Sequence, residues 1–510
     1  MLLIVLIDVV VVATLVSVAT RKGLEEALPY FAFFVTALPD ECRITLPGLF
    51  DLRAQRVVVI VLAILFLKSR RRSKISTFPL KHLMLFNFVW VLASTSASIV
   101  FMTSLKQGVA QLIEYYFLYY IVLKTVSKVR TITTIVYAMI AAMSLCSTLG
   151  LLEIYAHWNV LSIFPPETQS IYGTLLHDVF DRGIRARSMF VHPIHFGAAL
   201  AMVIPFALYL LTTRSKNRLQ KAFLYLSLLL MFWSLYKTGS RGPWLATALA
   251  MVVLTFASEA KIRKRIISVA ALAAVLLIVR PGIADTLVNM YDATFDPGSR
   301  MGSSFLYRPV LFHTVMEMLD DNPLRALLGY GLGSFREKGL IIEMPGVETH
   351  RWYTCDSTWI LSWYETGYIG LLIFSVLLLR PAFLALRSFR KLPRSDCYFS
   401  LVFFSSLTTF YVVMMSVAIY GWGQNGHMLW MVIAISVAYP ILKKDELNSR
   451  RTVRIEPCFS DAEVRSTVEV LSPQQVMKST RTELISCGLR ATDPFHILQQ
   501  LASRTGNGIA

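Results

Sequence analysis

Thr238-Gly239-Ser240-Arg241-Gly242-Pro243-Trp244-Leu245-Ala246 joins two apolar runs, Ala222 to Leu235 and Trp244 to Ala257, so a lone arginine punctuates what otherwise reads as membrane. An arginine at bilayer depth costs roughly 2.5–3.5 kcal/mol on insertion scales, so it normally has a partner or a job. The rest of the chain repeats this apolar background. Of 510 residues, 55% are hydrophobic and only 16% charged, against about 25% charged in an average soluble domain. Mean hydropathy is +0.56.

The apolar residues fall in blocks: Leu2 to Thr20, Leu83 to Met102, Ile132 to Leu152, Ile194 to Leu211, Trp359 to Leu379 and Phe399 to Ala418. Each is long enough to cross about 30 Å of hydrocarbon as a helix. Shorter runs lie at Pro29 to Leu38, Val57 to Leu67, Gly108 to Leu123, Ile266 to Ile278 and His427 to Leu442. With the two runs beside Arg241, they predict an all-α polytopic membrane protein with about 12–13 transmembrane helices and a large outward-facing loop containing an amphipathic helix.

The net charge of +18 is distributed as a topology signal rather than a nucleic-acid footprint. Basic clusters occupy alternate short loops: Lys68 to Lys74, Lys124 to Arg130, Arg214 to Lys221, Lys261 to Arg265, Arg387 to Arg394 and Lys443-Lys444. The positive-inside bias puts these in the cytoplasm. The loops Tyr155 to Pro193 and Pro281 to Asp356 then face outward, as does the turn carrying Arg241. The second long loop is acidic on balance, with Asp285, Asp292, Asp296, Asp320, Asp321, Glu343 and Glu348 among its residues. Three stretches follow: 1–184, membrane helices and the first long outer loop; 185–443, a membrane core with the large outer loop 281–356; and 444–510, a polar cytoplasmic tail. The chain reads as multi-pass, with the C-terminus in the cytoplasm.

Six cysteines, Cys42, Cys146, Cys355, Cys397, Cys458 and Cys487, show no CxxC and no histidine at ligand spacing, which argues against a zinc or redox site. Cys42 and Cys355 share the outer side and could pair, although two free thiols fit better. The first apolar run lacks a basic leader and a clear cleavage site, and reads as a retained helix. Lys444-Asp445-Glu446-Leu447 is internal and cannot act as a C-terminal address.

Four outward features converge with Arg241. Arg185-Ala186-Arg187-Ser188-Met189-Phe190-Val191-His192-Pro193-Ile194-His195-Phe196-Gly197 sits at the mouth of a span. In Leu306-Tyr307-Arg308-Pro309 the proline suits a first helical turn, leaving Arg308 at its N-terminal edge. Helical spacing then sets Phe312, Val315 and Leu319 on one face and His313, Glu317 and Asp320 on another. Next come Asp321-Asn322-Pro323-Leu324 and Gly329-Tyr330-Gly331-Leu332-Gly333-Ser334-Phe335. The series closes with Cys355-Asp356-Ser357-Thr358-Trp359-Ile360, leading to Glu365-Thr366-Gly367-Tyr368-Ile369-Gly370.

In this order the residues from Arg185 to Gly370 resemble the bacterial O-antigen ligase and polymerase superfamily of membrane glycosyltransferases, which includes exopolysaccharide polymerases. Ser-Arg-Gly followed by Trp-Leu is the strongest element; Arg308 with the downstream Asn-Pro-Leu and Gly-x-Gly-x-Gly-Ser-Phe is the second. Where the family usually has His-Asn-x-Tyr-Leu, this chain has Asp356, Ser357 and Trp359, which is more like the exopolysaccharide-polymerase branch. The resemblance implies an address in the bacterial inner membrane, with loop 281–356 in the periplasm, and transfer of a glycan from undecaprenyl pyrophosphate to an acceptor sugar hydroxyl on the outer face, inverting and without metal or other cofactor. The partners it implies are the carrier-linked glycan, an acceptor glycan or glycolipid, the lipid bilayer and other polysaccharide assembly proteins.

The chemistry suits these residues. A pyrophosphate leaving group needs fixed cations, and Arg241 and Arg308, always protonated and able to grip phosphate oxygens in pairs, supply them, with Arg187 as a further contact. An acceptor hydroxyl needs a base, for which Asp356 is the candidate and His350 or Arg351 the upstream alternative. Blander readings stand beside these. Arg241 could neutralise Glu365 or anchor a helix at the interface, and Arg308 could be a surface charge beside headgroups. Asp356, Ser357 and Thr358 are all possible N-caps. Glu365 lies roughly 14 Å down a helix from Asp356 and reads as a structural ion pair. His192 and His195 have metal-compatible spacing, but no third ligand is near. The glycine run does not follow a strand; it reads as a tight turn bringing backbone close to a phosphate or another loop, not a dinucleotide fingerprint. Trp158, Trp352, Tyr353 and Trp422 read as interfacial belt residues. Two other classes remain in play: a transporter of a small anion, which should show an internal repeat with broken helices near mid-membrane, and a non-catalytic scaffold of a polysaccharide export complex, in which both arginines would be dispensable.

Overall fold

The computed structural model describes residues 2–44, 51–69, 75–164, 184–213, 217–257, 300–343, 350–421 and 423–455, with isolated positions between 259 and 292. The expectations placed on Asp285, Asp296, Glu348, Trp422, Cys458, Cys487 and the tail beyond 455, and on the side chain of His350, lie outside them. Two compact units, Met1–Lys443 and Lys444–Ala510, are distinguished. The first carries everything below.

The chain is an all-α polytopic membrane protein. Among the described residues, seven helices are long and apolar enough to cross a membrane. The expected span Ile266 to Ile278 falls mostly outside the described residues, and the other expected spans are shorter: α2 (Leu24–Ala37) has 14 residues, α3 (Ala54–Lys68) has 15, α4 (Lys81–Ser96) has 16, and Arg241–Ala257 has 17. Helix α5 (Phe101–Gln111) runs through a π-helical turn, Leu112–Phe117, into α6 (Leu118–Thr125), making one continuous helical stretch.

Burial sorts the helices into inner and outer members. In α8 (Pro193–Thr213) 94% of the apolar window is buried inside the protein, whereas in α1 (Leu2–Lys22) only 17% is. A helix apolar all round needs either protein or lipid on every side. α8 is accordingly the central post, packed by α7 (Val129–Tyr155), α9 (Arg218–Lys237), α10 (Arg241–Ala257) and α15 (Arg394–Val413), while α1 faces outward. The last helix, α16 (Gly423–Ile455), is similarly enclosed over its apolar part.

The Pro29 segment is a helix because its first turn is fixed from outside. The Glu25 carboxylate accepts the backbone N–H of Ser127 at 2.8 Å and of Lys128 at 3.1 Å, and the hydroxyl of Thr131 at 2.7 Å. One acid thus satisfies orphan donors where α7 begins and ties α2 to it. Beyond α2, a short antiparallel hairpin, Arg43–Ile44 with Leu52–Arg53, returns the chain to α3. Its base holds Asp40 against Arg53 at 3.2 Å and leaves Glu41 only 2% exposed.

A second core lies outside the bundle. Tyr307, Leu311, Val315 and Leu319, four apart along α11 (Arg300–Asp320), are buried with Phe335, Leu340, Ile342, Trp363 and Tyr364. This corrects two details of the sequence reading. Pro309 lies inside this helix rather than in its first turn, because Tyr307 continues the buried stripe upstream. Phe312 is off the stripe, 44% exposed, with its ring 5.2 Å from that of Trp363. The hairpin Leu340–Ile342 with His350–Trp352 closes this core, and Trp352 packs on Tyr307 at 4.7 Å between ring centroids.

Candidate functional site

The turn between α9 and α10 is built by its sequence. Gly239 takes a left-handed φ of 56°, which reverses the chain within a few residues. Thr238 Oγ1 and Trp244 Nε1 both donate to the Leu235 carbonyl at 2.7 Å, tying off the end of α9. Gly242 faces a neighbour so close that an added Cβ would sit 2.5 Å from Ser416 Oγ. Pro243 lies against Gly197 of α8, where a Cβ would meet the proline ring at 2.9 Å. Ser-Arg-Gly-Pro is therefore a packing solution that sets Arg241 at the start of a helix wedged between α8 and the turn after α15.

That turn, Met414 to Ile419, is the hub of the site. Arg308 Nη2 donates to the Ser416 carbonyl at 3.2 Å and lies 3.4 Å from Asp356 Oδ2. The chain entering α14 (Thr358–Lys391) is pinned to the same turn. The Thr358 N–H donates to the Met414 carbonyl at 2.8 Å, its hydroxyl donates to the Val417 carbonyl at 2.9 Å, and that hydroxyl accepts the Ile419 N–H at 3.1 Å. The N-cap is Ser357, whose Oγ accepts the Ile360 N–H at 3.3 Å. Asp356 is thereby relieved of capping and turned toward Arg308.

Arg241, Arg308 and Asp356 are thus brought together. The two guanidinium groups lie within electrostatic reach of one another, a like-charge arrangement with the Asp356 carboxylate beside it. A bound dianion would turn this cost into attraction. Arg308 also has a buried Nε with no hydrogen-bond partner among the described residues, leaving a donor available to such a ligand.

Arg187 is placed differently. Its guanidinium, 7% exposed, lies 3.6 Å from the Glu153 carboxylate, which also accepts the backbone N–H groups of Arg187 and Ser188 at 2.9 Å each. Burial pulls this guanidinium below its ordinary pKa, with Glu153 and Glu41 opposing. The residue that reaches the Arg241 turn is Arg185, two positions earlier. Its Nε donates to the Thr238 carbonyl at 2.7 Å and its Nη2 to Ser240 Oγ at 2.8 Å. Sequence reading missed Arg185 and Ser416. The first stands beside another arginine in an irregular segment, and the second contributes a main-chain carbonyl, which no side-chain motif announces.

Glu365 is corrected as well. Rather than forming an ion pair, its carboxylate accepts the Gly333 N–H at 2.7 Å, and its main-chain carbonyl accepts the Gly331 N–H at 2.9 Å. The glycine run is indeed a tight turn, and it docks on a break in α14 at Gly367, where φ is 70°. The turn is also held by Ser98, between α4 and α5, whose hydroxyl donates to the Tyr330 carbonyl at 3.2 Å, and by Ser104 of α5, whose hydroxyl donates to the Leu332 carbonyl at 2.8 Å. His192 uses Nδ1 to accept the Ile194 N–H at the start of α8, and the carbonyl of buried His195 accepts from Asn425. Cys42, Cys146, Cys355 and Cys397 are free, buried thiols.

An all-helical, multi-pass membrane protein with a cluster of two arginines and one aspartate at the end of its bundle is the class that fold and site define. Residues 226–375 match the family model described as O-Antigen ligase, a segment that contains Arg241, Arg308, Asp356 and Glu365. The match supports a relationship of this segment to the O-antigen ligase and polymerase superfamily, of glycosyltransferase type. A search of curated proteins finds no match.

Proposed function

We propose that the protein transfers a glycan from undecaprenyl pyrophosphate to an acceptor sugar hydroxyl on the outer face of the inner membrane, as a polymerase or a ligase of surface polysaccharide. The observation that carries the reading is the convergence of Arg241, Arg308 and Asp356 on the Met414 to Ile419 turn, because it supplies both ends of one displacement. Asp356 takes the proton of the acceptor hydroxyl as that oxygen attacks the anomeric carbon. The bond from that carbon to the carrier oxygen breaks, and the pyrophosphate leaves with the bonding pair, its charge held by Arg241 and Arg308. Attack opposite the leaving group inverts the anomeric centre, and no step in this sequence calls for a metal. Arg187, paired with Glu153, is the weaker candidate for a further phosphate contact.

The test is deletion of the gene and complementation with wild type, Arg241→Ala, Arg308→Ala or Asp356→Ala, followed by electrophoresis of surface and carrier-linked glycans. Loss of long polymer with single carrier-linked units left behind identifies a polymerase. Long polymer stranded on the carrier identifies a ligase. Full restoration by all three variants would end the catalytic assignment and favour a transporter or scaffold.

A further inference from the structure

We propose that Arg185 is a positioning residue of this site, clamping the Thr238 to Ser240 turn so that Arg241 is presented to the leaving group; the inference rests on the proposed reading of Arg241. Three observations carry it. Arg185 spends two separate donors on the turn, Nε on the Thr238 carbonyl at 2.7 Å and Nη2 on Ser240 Oγ at 2.8 Å. Its stem lies across the turn glycine: a Cβ on Gly239 would stand 3.3 Å from Arg185 Nε and 3.6 Å from its Cγ. The neighbouring backbone follows, the Ala186 N–H donating to the Lys237 carbonyl at 3.0 Å. The glycine therefore serves two ends, the left-handed φ and room for the arginine.

The fork geometry explains why arginine is needed. A lysine offers one nitrogen at the end of a flexible stem and cannot hold a carbonyl and a hydroxyl from two points of a rigid plane. Ser240, whose hydroxyl also donates to the Thr238 carbonyl at 3.2 Å, immediately precedes Arg241, so loosening this turn shifts the first turn of α10. The segment bearing Arg185 is itself fixed by the Glu153 carboxylate on the Arg187 and Ser188 N–H groups. The clamp thus runs from α7 through residues 185–188 to the Arg241 turn.

A merely structural role and a positioning role differ in how Arg185 combines with Arg241. Loss of folded protein lowers transfer by the same factor in any background, whereas loss of Arg241 placement matters only while Arg241 is there to be placed. The experiment is a double-mutant cycle of Arg185→Ala and Arg241→Lys. It measures the initial rate of polymer formation per unit of membrane-inserted protein, in cells with the variant as sole copy. Arg185→Ala alone is expected to lower the rate on the order of 100-fold, the usual consequence of a misplacement near 1 Å, and to lower it less than about threefold further in the Arg241→Lys background. Arg185→Lys is expected to recover only part, and it replaces Arg185→Ala in the cycle if the latter fails to insert. Equal factors in both backgrounds, or full activity of the Arg185 variants while Arg241→Lys is impaired, overturn the inference alone. Full activity of Arg241→Lys and Arg241→Ala together would overturn the reading on which it rests.

Discussion

Arg308 and Asp356, 48 residues apart in sequence, meet through a single nitrogen, Nη2, which lies 3.4 Å from the carboxylate and donates to the Ser416 carbonyl as well. Their side chains remain 27% and 33% exposed. Pairs this open contribute about 0–1 kcal/mol, so the arrangement matters little to stability and its use lies elsewhere. The space that leaves them exposed is the space a substrate would occupy.

Asp356→Asn should therefore separate function from folding. The amide keeps the shape and loses the base, so transfer should fall by about 100- to 10,000-fold, the range for removing a general base. Thermal melting in detergent should move by no more than about 0.5 kcal/mol, as for an open site. An Asp356→Asn protein that transfers glycan within about threefold of wild type would remove Asp356 from the chemistry.

The close contact of Gly242 with Ser416 makes a reciprocal prediction. Gly242→Ala forces its methyl to within 2.5 Å of Ser416 Oγ, and overpacking of this kind costs about 1–3 kcal/mol. The displaced turn also carries the carbonyl that holds Arg308, so transfer should fall along with the melting temperature. Removing the hydroxyl in Gly242→Ala/Ser416→Ala should recover part of both. A double variant no better than the single one would show that the strain lies elsewhere.

Much of this architecture could be read before any coordinates. Apolar blocks separated by basic loops define a polytopic bundle, because insertion energetics act on composition. Arg241, Arg308 and Asp356 stood out because each lies in a motif that resembles the superfamily's, on the side opposite the basic clusters. What escaped was decided by contacts between distant segments. Nothing near Glu365 announced that its carboxylate would meet the Gly333 N–H rather than an arginine, since that contact exists only because α14 breaks at Gly367. Arg185 and Arg187 have the same residue type two positions apart. The turn at Ser188, with φ of 56°, and the Glu153 carboxylate on its N–H set one against Glu153 and the other on the turn before Arg241.

The Arg187 and Glu153 pair predicts an asymmetry. Glu153→Ala strands a buried guanidinium and two backbone N–H groups, and should cost roughly 3–5 kcal/mol, the usual penalty for breaking a buried pair from one side. Arg187→Met leaves the carboxylate with both N–H groups and the Asn159 amide, so its cost should be smaller. Melting of the two variants in detergent checks the order. Equal losses would mean that the backbone contacts contribute little.

Glu41 gives the protein a pH dependence whose sign follows from its burial. The side chain is 2% exposed. Burial, aided by neighbouring Asp40, pushes its pKa up to about 7, against the pull of its own backbone N–H, Arg187 and Arg43. Because the folded state holds this proton more tightly than the unfolded state, the contribution to stability is fully present below pH 4.5. It declines as pH rises from 4.5 and is lost once pH passes about 7. Glu41→Gln removes the titration. Melting curves of wild type and Glu41→Gln in detergent from pH 4.5 to 8 should therefore diverge, with the variant gaining on wild type across that window and by a constant margin above it. Parallel curves would mean that water or a neighbouring charge already satisfies the carboxylate in the folded protein.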